Sequence, residues 1–141
     1  MEQCKVKILW IDDDISRLKL QPYLDEFEES GFEIIPVENP IDLDSTIDSN
    51  KDIQCIILDI SMPTGENIDV SESKKGMRTG LLILKKLIEN TNLNHIKKVV
   101  FTIVGDDEVH NYCKSKQILH LKKQDYFPDT FVEKIKEIIK R

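Results

Sequence analysis

The sequence lacks the features of a disulfide-bonded, membrane-spanning or nucleic-acid-binding protein. Its three cysteines, Cys4, Cys55 and Cys113, are odd in number and widely spaced, which predicts reduced thiols in a cytoplasmic protein and no zinc site. No run approaches the roughly 18 apolar residues of a membrane span, and the N-terminus has no signal-peptide pattern. The net charge of −6 argues against a nucleic-acid-binding surface, because phosphate contacts need clustered lysine and arginine.

Short apolar runs alternate with helical patterns along the chain. The predicted strands cover residues 6–11, 32–37, 53–60, 99–104 and 118–121. Pro36 cannot donate to a sheet ladder, so we expect the second strand at an edge of the sheet. Five strands alternating with five helices predict an α/β protein with a doubly wound parallel sheet. We expect a single domain over residues 1–141, with no internal repeat and no linker.

Helix boundaries follow from prolines, capping residues and apolar stripes. Helix starts are predicted near Pro22, at Asn39 and Pro40, at Thr79, and at Asp106 or Asp107, and the first helix stops at Gly31. The apolar stripe of the last helix consists of Phe131, Val132, Ile135, Ile138 and Ile139. The polar segment 64–78 is long for a strand-to-helix loop, so we interpret it as either a mobile flap or a binding element.

Polar side chains end four of the predicted strands. In an open parallel sheet these carboxyl ends meet at one edge, where ligands bind. The residues there are Asp12, Asp13, Asp59, Thr102, and Lys122 or Lys123. Three carboxylates in one crevice cannot all stay ionised without a cation, and oxygen-only ligands that are open to solvent suit Mg²⁺. An aspartate beside Mg²⁺, a hydroxyl and an ammonium is equipped to accept a phosphoryl group.

In their order and spacing, these residues resemble the receiver domain of two-component response regulators. Asp12 and Asp13 match the family's acid pair, and Asp59 in LDISMP is followed four residues later by Pro63, as in the family's phospho-acceptor motif. Thr102 matches the hydroxyl residue of strand 4. The resemblance covers nearly the whole chain and implies a flavodoxin-like (β/α)5 fold with the strand order 2-1-3-4-5.

The resemblance also selects the lysine and assigns the roles. Lys123 is matched in preference to Lys122, because Phe131 then falls where the family places the first apolar residue of the last helix. It implies that Asp59 is phosphorylated, and that Thr102 and Lys123 contact the phosphoryl oxygens. The implied Mg²⁺ ligands are Asp13, Asp59, the backbone carbonyl of Ser61 and, mainly through water, Asp12.

The implied function is signalling rather than enzymatic turnover. A histidine kinase or phosphotransfer protein would supply the phosphoryl group, and the face made by helix 4, strand 5 and helix 5 would then bind another protein or a second copy of the chain. The chain ends directly after the last helix, which favours a stand-alone receiver. Neither nucleic acid nor membrane is an expected partner.

Several positions depart from the family pattern and keep alternatives open. Ile103, His120 and Gln124 replace a small residue, an aromatic residue and a proline, and they favour a pseudo-receiver that binds proteins independently of phosphorylation. A third alternative is a phosphohydrolase on a similar sheet. That chemistry needs a second acid two residues after the nucleophilic aspartate, and Ser61 at this position argues against it. In this family, the residues two positions after the acceptor and two positions after the hydroxyl residue tune hydrolysis of the acyl phosphate, and here they are Ser61 and Val104. Val104 cannot orient an attacking water, so we expect slow loss of the phosphoryl group.

Overall fold

The computed structural model describes residues 6–12, 20–60, 75–102 and 107–140, without the side chains of residues 40 and 75–79. The strands are β1 (Val6–Ile11), β2 (Phe32–Val37), β3 (Ile53–Leu58), β4 (Lys97–Thr102) and β5 (Leu119–Lys122). The helices are α1 (Gln21–Glu29), α2 (Leu43–Ser49), α3 (Lys75–Glu89), α4 (Asp107–Ser115) and α5 (Pro128–Lys140). Short 3₁₀ turns cover Pro40–Asp42, Thr91–Leu93 and Lys123–Asp125.

The five strands form one parallel sheet in the order β2-β1-β3-β4-β5. This order confirms the predicted doubly wound arrangement. Pro36 lies on β2, at the edge of the sheet, as its missing N–H requires. At the opposite border of the sheet, Thr102 of β4 pairs with Lys122 of β5, so the carboxyl ends of these two strands lie side by side. Within the described ranges, no helix is long and apolar enough to cross a membrane.

Helices cover both faces of the sheet and give it two different cores. Between the sheet and helices α1 and α5 lies a core rich in aromatic rings, which includes Trp10, Phe27, Phe101, Phe131 and Ile135. Against helices α2, α3 and α4 lies an aliphatic core, which includes Leu9, Ile56, Leu84, Leu87 and Val109. Each fully buried side chain of this size stabilises the fold by about 1.5–3 kcal/mol. The sheet edge that carries the polar residues is therefore held between two packed layers.

The structure agrees with the predicted end of α1, the predicted cap before α2 and the predicted apolar stripe of α5. Gly31 has a φ of 90°, a conformation that side chains disfavour, and it follows the end of α1. The Oδ1 atom of Asn39 accepts a hydrogen bond from the N–H of Ile41 at 3.1 Å, so Asn39 caps the 3₁₀ turn that leads into α2. On the last helix, Phe131, Val132, Ile135 and Ile138 are buried and Ile139 is half-buried, which confirms the apolar stripe.

Other predicted boundaries need correction. Helix α3 begins at Lys75, so Thr79 lies inside the helix and the prediction that it caps the helix was wrong. Strand β3 ends at Leu58 rather than at residue 60, and β5 covers residues 119–122 rather than 118–121. Asp106 and most of the predicted 64–78 loop lie outside the described residues.

Strand β4 begins two residues earlier than its apolar run predicts. Lys97 and Lys98 pair with Cys55 and Ile56 of β3. The ammonium of Lys98 donates to the carbonyl oxygens of Leu93 at 2.7 Å and Ile96 at 3.0 Å. These two bonds satisfy a half-buried charge and so let the strand start with two lysines. Residues 103 and 104, the last of the predicted strand, lie outside the described residues.

The two cysteines that the structure describes are free and buried. Burial raises the pKa of the Cys55 thiol to about 12, although nearby Lys98 lowers it, and raises that of Cys113 to about 11. Both thiols therefore stay protonated at neutral pH and are poor nucleophiles. Cys4 lies outside the described residues.

Candidate functional site

Backbone hydrogen bonds fix two aspartates at the carboxyl edge of the sheet. Asp12 follows β1, and its N–H donates to the carbonyl of Val37 at 3.0 Å. Asp59 follows β3, and its N–H donates to the carbonyl of Ile11 at 2.9 Å. Both residues are buried, with 0% of Asp12 and 4% of Asp59 exposed. Burial of two carboxylates in one place is unfavourable unless positive charge is close by.

Lys123 supplies positive charge to both carboxylates. Its side chain extends from the 3₁₀ turn after β5, and its Nζ lies 2.7 Å from Oδ2 of Asp12 and 3.2 Å from Oδ2 of Asp59. The neighbouring Lys122 is exposed at the end of β5. The structure thus brings together residues from the ends of β1, β3 and β5, although Lys123 is 111 positions from Asp12 in the chain.

The electrostatics of this cluster keep the ammonium charged. Burial lowers the pKa of Lys123, but attraction to Asp12 and Asp59, together with the hydrogen bonds to both, outweighs burial and raises the pKa above its ordinary value. Lys123 is therefore a permanent cation at neutral pH. Among these three groups, two carboxylates face one ammonium, an arrangement that favours a further cation at this edge.

Thr102 ends β4 at the same edge of the sheet and is fully buried. Its Oγ1 has no hydrogen-bond partner among the residues that the structure describes. A buried hydroxyl without a partner costs about 1–3 kcal/mol. A polar ligand atom arriving at this edge, such as a phosphoryl oxygen, could therefore gain a hydrogen bond from Thr102.

Tyr23 supports the turn that carries Lys123, and sequence reasoning missed it. The Tyr23 hydroxyl, on α1, donates to the carbonyl of Tyr126 at 2.9 Å, just after the turn. Burial raises the pKa of Tyr23, while the positive charge of Lys123 lowers it by a smaller amount. The two partners are 103 positions apart, and no local pattern predicts such a contact.

Gly80 lets α3 pack directly against the chain beside Asp59. A Cβ atom at Gly80 would overlap the backbone of Ile60, most closely its carbonyl oxygen. Ile60 directly follows Asp59 and is itself buried. The small residue therefore sets how closely the helix approaches the loop that holds the aspartate. No role for Gly80 was predicted from the sequence, because the Ile60 backbone against which it packs is distant in the chain.

The described residues fit Mg²⁺ in their chemistry and supply part of the predicted ligand set. Asp12 and Asp59 both direct a carboxylate oxygen at the Lys123 ammonium, and carboxylate oxygens are the donor type that Mg²⁺ prefers. Asp13 and Ser61, the other predicted ligands, lie outside the described residues. Within the described part of the chain, no group of three or more metal-binding side chains occurs. The roles of Asp12, Asp13, Asp59 and Ser61 as Mg²⁺ ligands stay predictions.

Comparison with known proteins identifies the fold. No protein-family model and no curated protein matches the chain by sequence. The signal receiver domain of a protein described as a LuxO repressor from Vibrio parahaemolyticus has a TM-score of 0.73 at 20% identity, over 98% of this chain and 92% of its own. A response regulator from Thermotoga maritima has a TM-score of 0.70 at 16% identity, over 98% and 100% of the two chains.

A third similar structure is the BeF3-activated receiver domain of DrrB, also from Thermotoga maritima. Its TM-score is 0.67 at 15% identity, over 98% of this chain and 100% of its own. The chain therefore has the fold of response-regulator receiver domains, which confirms the predicted flavodoxin-like architecture. At these identities the likeness defines the fold, and the chemistry has to be argued from the residues.

Proposed function

We propose that this chain is a phospho-acceptor receiver. Asp59 takes a phosphoryl group from the phosphohistidine of a kinase or phosphotransfer protein, and the modification changes a surface that binds another protein. One observation carries the proposal: a single ammonium, that of Lys123, holds the buried carboxylates of Asp12 and Asp59 together at the ligand-binding edge of a receiver fold.

In the proposed transfer, an oxygen of Asp59 attacks the donor phosphorus. The new O–P bond forms while the P–N bond to the donor imidazole breaks, and the imidazole leaves with the electron pair and takes up a proton from solvent. Lys123 is already within hydrogen-bond distance of Asp59, so its charge can stabilise the transferring group. The product is an acyl phosphate that adds about −1.5 to −2 charge at neutral pH.

A Mg²⁺ ion would complete the positive charge around the phosphoryl oxygens when bound. Asp12, Asp13, Asp59 and the backbone carbonyl of Ser61 are the residues that would hold it. The two buried carboxylates beside Lys123 support this requirement, because a phosphoryl group would bring additional negative charge to the same edge.

The signal would leave the site through β5 and its neighbours. Lys123 directly follows β5 and precedes α5, while Thr102 pairs with the last residue of β5, so both residues lie next to that strand. The face made by α4, β5 and α5 is therefore the proposed binding surface for a downstream protein or a second copy of the chain.

A pseudo-receiver that ignores phosphate is the competing function, and Ile103, His120 and Gln124 favour it. The contacts of Lys123 favour the phospho-acceptor, because two buried carboxylates around one ammonium are an expensive arrangement for a surface that only binds proteins. We therefore place the phospho-acceptor first.

Acetyl phosphate with Mg²⁺, followed by intact mass measurement, tests the proposal. The wild-type chain should gain the mass of one phosphoryl group, and chelation of Mg²⁺ should prevent the gain. Asp59→Asn should gain nothing, whereas Asp48→Asn, a change at an exposed carboxylate on α2, should behave as wild type.

A BeF3 titration checks the same site without covalent chemistry. With Mg²⁺, BeF3 should raise the melting temperature of the wild type but not that of Asp59→Asn. Labelling of Asp59→Asn would mean that another residue is the acceptor. A wild-type chain that neither gains mass nor shifts its melting temperature would contradict the phospho-acceptor and favour the pseudo-receiver.

A further inference from the structure

We propose that His110 and His120 form a binding site for a divalent transition-metal ion between α4 and β5. The chain has three histidines, and the structure places two of them side by side although they come from different elements. Their ring centroids are 5.7 Å apart and their planes are inclined by 45°. Nothing in the acceptor chemistry of Asp59 uses either imidazole.

Packing of α4 on the sheet holds the pair together. Val109 and Cys113 of α4 are 2% and 0% exposed and anchor the helix in the aliphatic core. His120 lies on β5 opposite Val100 of β4, a residue of the same core. The two rings are thus brought together by elements that pack for other reasons.

The distance between the rings suits a shared ion. A Zn–N bond is about 2.0–2.1 Å, so two imidazoles that bind one ion tetrahedrally have centroids roughly 5–6 Å apart. The observed 5.7 Å falls in that range. Neutral imidazole prefers Zn²⁺, Ni²⁺ and Cu²⁺, whereas Mg²⁺ prefers the oxygen ligands of the acidic cluster. The two sites therefore differ in the metal that they select.

Access and ligand number make this an open, exchangeable site. His110 is exposed and His120 is half-buried, so an ion would enter from solvent at His110. Over the described ranges, no third metal-binding side chain joins the pair. Water or a group from a partner protein would fill the remaining positions, which predicts weaker binding than at a closed structural site.

A bound ion would tie α4 to β5. If the proposed function is right, these elements belong to the face that phosphorylation changes, and the ion would hold that face in one arrangement. This consequence rests on the proposed function, whereas the metal site itself does not.

Titration with Ni²⁺ in excess Mg²⁺ tests the site, because Mg²⁺ occupies oxygen ligands and leaves imidazole free. The tag-free wild type should bind one Ni²⁺ by calorimetry, and the imidazole resonances of two histidines should shift or broaden. His110→Gln and His120→Gln should each lower the affinity at least tenfold. His95→Gln, at an exposed turn residue, is the matched control and should bind as wild type.

Each outcome bears on the site. No Ni²⁺ binding by the wild type, wild-type affinity in either His110→Gln or His120→Gln, or loss of binding in His95→Gln would overturn it. His110 is exposed, so its variant should fold even if His120→Gln does not, and urea unfolding verifies this. Asp59→Asn should still bind Ni²⁺, so failure of the phospho-acceptor proposal would leave this result unchanged.

Discussion

Replacing Lys123 by methionine should destabilise the protein far more than the same change at Lys122. The side chain of Lys123 is 12% exposed, and those of Asp12 and Asp59 are 0% and 6% exposed. Without the ammonium, the charge of the three groups changes from −1 to −2 inside the fold. Removal of one partner from a buried ion pair costs about 3–5 kcal/mol, and we expect the lower end because Lys123 retains some solvent contact. The exposed Lys122 should contribute no more than about 0.5 kcal/mol.

Urea unfolding followed by Trp10 fluorescence measures both variants. Trp10 is the only tryptophan and is fully buried among aromatic rings, so its emission should change on unfolding. The double variant Lys123→Met with Asp12→Asn removes one negative charge again and should be more stable than Lys123→Met alone. Equal stability of the Lys122→Met and Lys123→Met variants would refute the role of the ammonium.

The dependence of the unfolding free energy on pH in the alkaline range provides a second check of the role of Lys123. The pKa of Lys123 is raised in the folded state, so its stabilisation is complete below the ordinary value of 10.5 and is lost as the pH rises through the folded value. The difference in unfolding free energy between wild type and Lys123→Met should therefore shrink above pH 10.5. A difference that grows there would contradict the assigned sign.

Two further changes test the support of the site. Gly80→Ala gains about 1 kcal/mol of helix propensity but places a methyl group against the carbonyl of Ile60. The urea midpoint of the variant should therefore fall below that of the wild type. A higher midpoint would show that α3 can move away from Ile60. Tyr23→Phe loses the hydrogen bond to Tyr126 and should cost about 1 kcal/mol at neutral pH. Because burial raises the Tyr23 pKa, wild-type stability should fall as the pH rises above 10.0, and Tyr23→Phe should fall less steeply; parallel curves would exclude this contribution.

The sequence predicted the sheet well because buried parallel strands are continuous apolar runs. The bounds of β1 and β2 agree with the prediction, and Pro36 placed β2 correctly at an edge. The start of β4 could not be read from its residues, since Lys97 and Lys98 look like a solvated turn. Both lysines pair with β3, and the Lys98 ammonium is satisfied by the carbonyl groups of Leu93 and Ile96, contacts that the local sequence does not reveal.

The sequence predicted which residues lie at the candidate site, but not the contacts that support them. Asp12, Asp59 and Thr102 could be placed at one edge because each lies at, or directly after, the carboxyl end of a strand, and the resemblance selected Lys123. The contacts of Tyr23 and Gly80 were not predictable, because they join elements that are distant in the chain. Nor did spacing indicate that His110 and His120 are neighbours, since helix-to-strand packing alone brings them together.

Both borders of the sheet are poorly suited to adding another strand. On one side, Pro36 interrupts the hydrogen-bond donors of β2, and on the other side β5 has only four residues. Exposed strand borders are templates for aggregation, and proline and shortness are two ways in which proteins blunt them. Self-association through a continuous intermolecular sheet is therefore disfavoured. Two copies of this chain that associate would therefore meet away from these borders.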